Sequence, residues 1–172
     1  SFAQAQDKLH QLCRTWLATH SDVSEPLALG KALGRYLTEN VIAALELPLS
    51  DASAMDGYAV CTHDRDGAVT SQVYVLKGES RAGEPYSGDP LAPGQCVRIF
   101  TGAVVPESAD TVVIQENVER EDISVRMLHD TAAGANIRRR GEEIAADAVI
   151  GIAGQLITPN MIPLFASPGL AE

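Results

Sequence analysis

The chain has 172 residues, 45% of them hydrophobic and 21% charged, a globular composition able to bury roughly two-thirds of its unfolded surface, which excludes a disordered tail. It carries 13 Lys plus Arg against 23 Asp plus Glu, a formal net charge of -10, so contact with a phosphate backbone is excluded as a general mode of binding and nucleic acid is not an expected partner. No apolar run approaches the roughly 20 residues that cross a bilayer; no membrane association is expected.

Cys13, Cys61 and Cys96 are unevenly spaced and form no C-x-x-C pair, which argues against a disulfide framework and fits a reducing, cytoplasmic compartment. The chain starts without Met and without a basic leader, so a soluble protein that is processed, or a piece of something longer, is expected.

In chain order, Phe2, Ala5, Leu9, Leu12, Cys13, Trp16 and Leu17 recur at spacings of three and four, which predicts an amphipathic helix of about four turns. Ser1 and Gln4 can close a capping box at its start. After a polar stretch and Pro26, the residues Leu29, Ala32, Leu33, Tyr36 and Leu37 predict a second, shorter helix, weakened by Gly34. The character then changes: residues 41–44, 73–76, 96–100, 111–115, 123–127 and 148–152 are short β-rich runs between Gly, Pro, Asp and Ser clusters. Asp66-Gly67 reads as a hairpin turn, residues 85–94 as an irregular loop, and Pro159 as the start of a last short helix through Met161, Leu164 and Phe165. Too few strands alternate with long helices for a doubly wound parallel sheet. The fold class expected is mainly β with flanking helices.

Three segments carry chemistry. In the first, Asp56-Gly57 follows Ser53 and precedes an alternating strand. An ionised Asp there can bind a hard divalent cation or hold a polar ligand, or it is only a turn former with Met55 and Tyr58 in the core. In the second, the strand at 97–100 runs out into Thr101-Gly102, offering a hydroxyl and backbone N–H groups to an anionic oxygen, or simply ending the strand. In the third, Arg138, Arg139 and Arg140 are followed by Gly141, Glu142 and Glu143; the guanidinium fork suits phosphate, while the alternative is a solvated loop paired internally with the two glutamates. If the segment is extended, Arg138 and Arg140 share one face and Arg139 takes the other.

Asp64-Arg65-Asp66-Gly67 lacks the rest of a calcium loop and reads as a turn. His10, His20, His63 and His129 have no metal spacing, and no P-loop, G-x-S-x-G or G-x-G-x-x-G occurs. Trp16, Phe100 and Phe165 read as core anchors.

Taken in order, Ser53-Ala-Met-Asp-Gly-Tyr-Ala59, then Arg98-Ile-Phe-Thr-Gly-Ala103 running to Pro106-Glu-Ser-Ala-Asp-Thr-Val-Val113 and Glu116, then Asn136-Ile-Arg-Arg-Arg-Gly-Glu-Glu-Ile144, and finally Ile162-Pro-Leu-Phe-Ala-Ser-Pro-Gly169 resemble the MoeA family, to which the E domain of gephyrin also belongs. The resemblance covers nearly the whole chain. It implies a molybdopterin molybdenumtransferase: an enzyme that takes adenylylated molybdopterin, releases AMP and inserts molybdate into the dithiolene, using Mg2+. It implies catalytic roles for Asp56, Thr101 and Glu143, with Asp56 also the metal ligand, and substrate contacts from Ser53, Gly102, Arg138, Arg139 and Arg140. Glu143 is one methylene longer than the family's usual Asp, Ala52 stands where Asn is often found, and Ser108 replaces a common Gly.

The fold implied is that of the MoeA N-terminal region, with bifurcated and coiled β-sheets. Residues 50–140 form a β domain inserted into an elongated domain made of 27–49 and 141–172, and residues 1–26 form the first helix and a linker. The family's α/β molybdopterin-binding domain and C-terminal β-barrel have no counterpart in this sequence. In relatives the first helix packs on that α/β domain, which implies an exposed apolar face at Phe2, Leu9, Leu12 and Trp16. The family's active site forms between subunits of a homodimer, so the chain alone is expected to insert no metal. The competing expectations are a non-catalytic dimerisation or scaffold module, as gephyrin uses this architecture, and an anion-binding module built on the arginine run.

Overall fold

The structure, a computed structural model, describes residues 1–20, 24–62, 68–69 and 72–170, with the backbone alone at 20, 68 and 69. The turn at Asp66-Gly67, His63 and the segment from Asp64 lie outside the described residues. The chain divides into two compact units, Ser1–Ile42 with Val149–Glu172, and Ala43–Ala148. The second unit is thus inserted in the first along the sequence.

In the first unit, helix α1 (Phe2–His20) forms where the periodicity places it. The Gln4 N–H donates to Ser1 Oγ at 3.4 Å and the Ser1 amine to Gln4 Oε1 at 2.8 Å, closing the expected box. Phe2 is 81% exposed and Leu9, Leu12 and Trp16 about 60%, so the apolar stripe is exposed and Trp16 is no core anchor.

The second helix does not form. A 3-10 turn at Leu29–Lys31 gives way to Gly34 at φ +77°. From there the backbone pairs across the unit: Gly34 N–H donates to Ile157 O, Ile157 N–H to Arg35 O and Leu37 N–H to Gln155 O. Those bonds take the groups a helix would need, and Gly34 supplies the left-handed turn that starts them. Ala32, Ile157, Met161 and Phe165 form the core, the last two from α2 (Met161–Ala166), and β1 (Val41–Ile42) pairs antiparallel with the last strand, Val149–Gly151.

Among the described residues of the second unit, the main sheet has six strands: β3 (Gly57–Val60), β5 (Val73–Ser80), β6 (Gln95–Ile99), β7 (Thr111–Ile114), β8 (Val118–Glu121) and β9 (Ser124–Met127), in the order β7-β3-β6-β5-β9-β8. Only β5 and β6 run parallel; the other pairs are antiparallel. Both faces of the central strands are covered. Tyr58, Val60, Cys96 and Val113 join Tyr74, Val125 and Met127 in one cluster, while Ala59, Val97, Ile99 and Val112 join Leu91, Val105 and Ala109 in the other. The alternation expected after Asp56-Gly57 does not hold, because β3 is buried along its whole length and both faces of the sheet are covered there. Burial pushes the Cys96 thiol up to about 12, which makes it an inert core group.

The remaining pairs are two residues long. Strand β2 (Ala52–Ser53) pairs with β11 (Ile137–Arg138), and β4 (Ala68–Val69) with β10 (Thr131–Ala132). With the long β5 bulged between Leu76 and Glu79, they give the coiled, branching sheet arrangement. Segments 43–49 and 141–148 pack with this unit, through Leu47 paired with Ile144 and the Gly141 N–H donating to Pro48 O.

Asp110 joins the end of β3 to β7. Its carboxylate accepts from Thr62 N–H (3.1 and 3.2 Å), Thr62 Oγ1 (2.8 Å) and Thr111 Oγ1 (2.8 Å). Asp110→Ala leaves half-buried donors unmatched and is expected to cost about 2 kcal/mol. A denaturant midpoint equal to wild type would show that water replaces the carboxylate without loss.

Candidate functional site

The three segments with chemistry meet on β2. On one side of it, Ser53 N–H donates to Ala103 O and Gly102 N–H to Ser53 O, and Ala52 bridges to Val104. On the other, Ala52 and Ser53 pair with Arg138 and Ile137. The Thr101-Gly102 turn and the arginine run therefore flank one short strand, about 10 Å apart across two strand spacings.

Asp56 and Thr101 are in direct contact. Asp56 Oδ1 accepts from the Thr101 N–H at 2.8 Å and from Thr101 Oγ1 at 2.9 Å. Those two bonds, the backbone one first, hold the carboxyl below the ordinary Asp value, with the charge of Arg98 adding to them against burial. Oδ2 accepts nothing from the described residues, so the pair presents an acceptor-only oxygen beside a hydroxyl oxygen. Tyr58 is buried as the turn reading requires, whereas Met55 is 45% exposed.

The backbone of the Thr-Gly turn is fully engaged: Thr101 N–H goes to Asp56, Gly102 N–H to Ser53 O and Ala103 N–H to Phe100 O. The Thr101 N–H thus meets an anionic oxygen, but it is that of Asp56 within the chain, and the other two N–H groups go to carbonyl oxygens. Gly102 instead serves the turn, at φ +80°. Ser53 is buried, and its hydroxyl donates to Met55 O at 2.6 Å, so it shapes the turn that carries Asp56.

Each arginine of the run has its own carboxylate. Arg138 Nη1 pairs with Glu143 Oε1 at 3.3 Å, Arg139 Nη1 with Asp51 Oδ2 at 2.6 Å, and Arg140 with Glu46. Arg140 N–H also donates to Asp51 Oδ1 at 2.9 Å, and Arg139 N–H to Glu142 Oε2 at 2.7 Å. Past Arg138 the chain leaves the strand and turns at Gly141, φ +71°, so the alternation expected for an extended run does not hold. Asp51 gathers both Arg139 and Arg140. An anion entering here competes with Asp51, Glu46 and Glu143, and Glu143 itself is exposed and turned to Arg138.

Asp51 and Glu46 went unmarked in the sequence because they lie 88 and 94 residues from their arginines, in a stretch with no other charge. The Asp51 carboxyl is lowered chiefly by the Arg140 N–H, with burial opposing and Arg139 assisting. A carboxyl lowered on folding adds stability above its unfolded value, about pH 4, which is lost as pH falls through the folded value. Asp51→Asn is thus expected to lower the denaturant midpoint at pH 7 and to converge with wild type once the pH has fallen below the folded value. A gap that persists in acid would mean that geometry, not charge, carries the clasp.

Among the described residues no group of three or more His, Cys, Asp or Glu side chains is placed to hold a metal ion, and no helix is long and apolar enough to cross a membrane. Asp56 and Thr101 provide oxygen donors, which suit Mg2+; that ion takes one or two carboxylates and fills its remaining positions with water and substrate phosphate. The donor set fits as one part of such a site.

Fold and site together define a mainly β protein with a curled sheet that carries a carboxylate and a hydroxyl on adjoining turns. Residues 1–169 match the MoeA N-terminal region (domain I and II), and the chain belongs to the MoeA family. It is 38% identical over 150 residues to a molybdopterin molybdenumtransferase of Haemophilus influenzae, covering 87% of this chain and 36% of that protein. It is 38% identical over 145 residues to molybdopterin molybdenumtransferase 2 of Mycobacterium tuberculosis, covering 84% and 36%. The crystal structure of the molybdopterin biosynthesis MoeA protein from Pyrococcus horikoshii OT3 superposes with a TM-score of 0.76 at 26% identity, over 86% of this chain and 39% of that one. The chain thus spans little more than a third of these relatives.

Proposed function

We propose that this chain is the N-terminal β portion of a molybdopterin molybdenumtransferase, which inserts molybdate into adenylylated molybdopterin with release of AMP in molybdenum cofactor biosynthesis. The observation that carries this is the Asp56 and Thr101 pair: two residues 45 apart in sequence, joined through one carboxylate oxygen, with the other accepting nothing from the described residues.

In this reading Thr101 holds Asp56 ionised and in one rotamer, and Asp56 Oδ2 is a ligand for Mg2+. When bound, the cation would supply positive charge opposite the phosphate of the adenylylated pterin. Arg138, paired with Glu143, supplies a cation at the other edge of β2 that can exchange its carboxylate for a pterin oxygen. The rest of the site comes from the α/β domain of a dimer partner, and the enzyme works in the cytoplasm. Pairing of each arginine with a carboxylate makes the stand-alone anion-binding alternative the weaker one.

The test is molybdate insertion and AMP release by the full-length protein, with complementation of a molybdenum-cofactor-deficient strain by long and short forms. The long form is expected to restore molybdoenzyme activity and the 172-residue chain to restore none. Failure of the long form would overturn the assignment.

A further inference from the structure

Arg98 lies on β6 beside this site and is used differently from the arginine run. It makes no ion pair with a described residue, and both ends of its guanidinium go to neutral acceptors. Nη1 donates to Gly57 O at 3.2 Å and Nη2 to Gln115 Oε1 at 2.6 Å. Gln115 in turn donates its backbone N–H to Asp56 O at 3.0 Å. The four residues close a ring of bonds around the Asp56-Gly57 turn, reaching it from both neighbouring strands. The guanidinium is also stacked, 5.1 Å from the Tyr58 ring centre and 4.9 Å from that of Phe100. Tyr58 is the cross-strand partner of Arg98 and Phe100 lies two residues on, on the same side of the strand. Phe100, expected in the core, is half-buried and serves as this platform, with Arg81 5.2 Å from its centre as well.

We propose that Arg98 is the positioning residue of the site, fixing the Asp56-Gly57 turn against Thr101 so that Asp56 presents its outer oxygen in one orientation. The functional importance of this rests on the reading of Asp56 and Thr101 given above; the geometry does not. A lysine would keep the charge but can neither bridge Gly57 O to Gln115 Oε1 nor stack as a plane between two rings. The role therefore belongs to the planar fork rather than to the positive charge.

The experiment is hydrogen exchange by mass spectrometry on the full-length protein, wild type against Arg98→Lys, Arg98→Ala and Gln115→Leu, on peptides containing Thr101 and on peptides from the centre of β3. Turnover is measured alongside. Thr101 is expected to exchange at least about tenfold faster in all three variants while β3 stays protected, with kcat down about tenfold or more and KM for the pterin within about twofold. Unchanged protection of Thr101 in folded Arg98→Lys overturns the proposal. So does loosening of β3 in parallel with Thr101, which marks a merely structural residue. If Arg98→Ala does not fold, Arg98→Lys and Gln115→Leu decide. Absent molybdate insertion by the wild type refutes the functional reading alone, because the exchange result needs no activity.

Discussion

Gly57→Ala is expected to lower the thermal midpoint of the chain by roughly 10 °C, a cost of about 3 kcal/mol. The first residue of β3 sits so close to β7 that an added Cβ would lie 2.0 Å from the carbonyl oxygen of Val113 and 2.9 Å from its carbon. Those are backbone atoms of a paired strand, with no side chain to swing aside. Relief requires β3 and β7 to separate, at the register that pairs Gly57 with Ile114 and Tyr58 with Val113. Both strands are buried on both faces, so separation also opens both core clusters. Gly102→Ala is the control: its φ is +80° but no atom lies within 4 Å of the added Cβ, so it should cost only about 1 kcal/mol of backbone strain. Thermal denaturation followed by circular dichroism separates the two. Equal, small shifts for both would show that the sheet yields at Gly57. Because Asp56 precedes Gly57, a partial separation would also displace the carboxylate, so a variant that survives folding is expected to lose Thr101 contact.

Asp56→Asn should leave the fold intact and lower molybdate insertion by the full-length protein about a hundredfold or more. The amide oxygen can still accept both Thr101 bonds, now seen at 2.8 and 2.9 Å, so local geometry is kept. What changes is the outer atom, from an acceptor-only oxygen to a donor that no cation will accept as a ligand. The midpoint of denaturation should fall only slightly at pH 7, by the small stability that the ionised, exposed Asp56 gains from Thr101, and added Mg2+ should not restore turnover. Thr101→Val should give a smaller loss, about tenfold, since the backbone N–H still reaches Asp56. Turnover within about threefold of wild type in Asp56→Asn would remove the carboxylate from the mechanism.

What the sequence determined by itself was most of the longer strands and the parts list. The β-rich runs at 73–76, 96–100, 111–115 and 123–127 became β5, β6, β7 and β9 because β-branched residues bounded by turn formers have few other stable arrangements. Helix α1 and its cap followed from local periodicity; the last short helix also forms, but it starts at Met161 after Asn160 rather than at Pro159. The motifs at Asp56, Thr101 and 138–143 were legible as segments, and their order along the chain pointed to the family.

Long-range pairing decided the rest. The second helix was lost because Gly34, Arg35 and Leu37 spend their backbone groups on Gln155 and Ile157, which no local window contains. Two-residue strands such as β2 and β11 are too short for any periodicity, yet β2 is where the Thr101 turn and the arginine run come together. Which oxygen of Asp56 is engaged depended on Thr101, and which carboxylates the arginines meet depended on Asp51 and Glu46. Arg98 stood inside a quoted motif without distinction until β6 was laid against β3 and its guanidinium fell between Tyr58, Phe100 and Gln115. Residue chemistry is local, and so the sequence named the groups; their partners are set by strand register across tens of residues, and only the folded sheet specifies that.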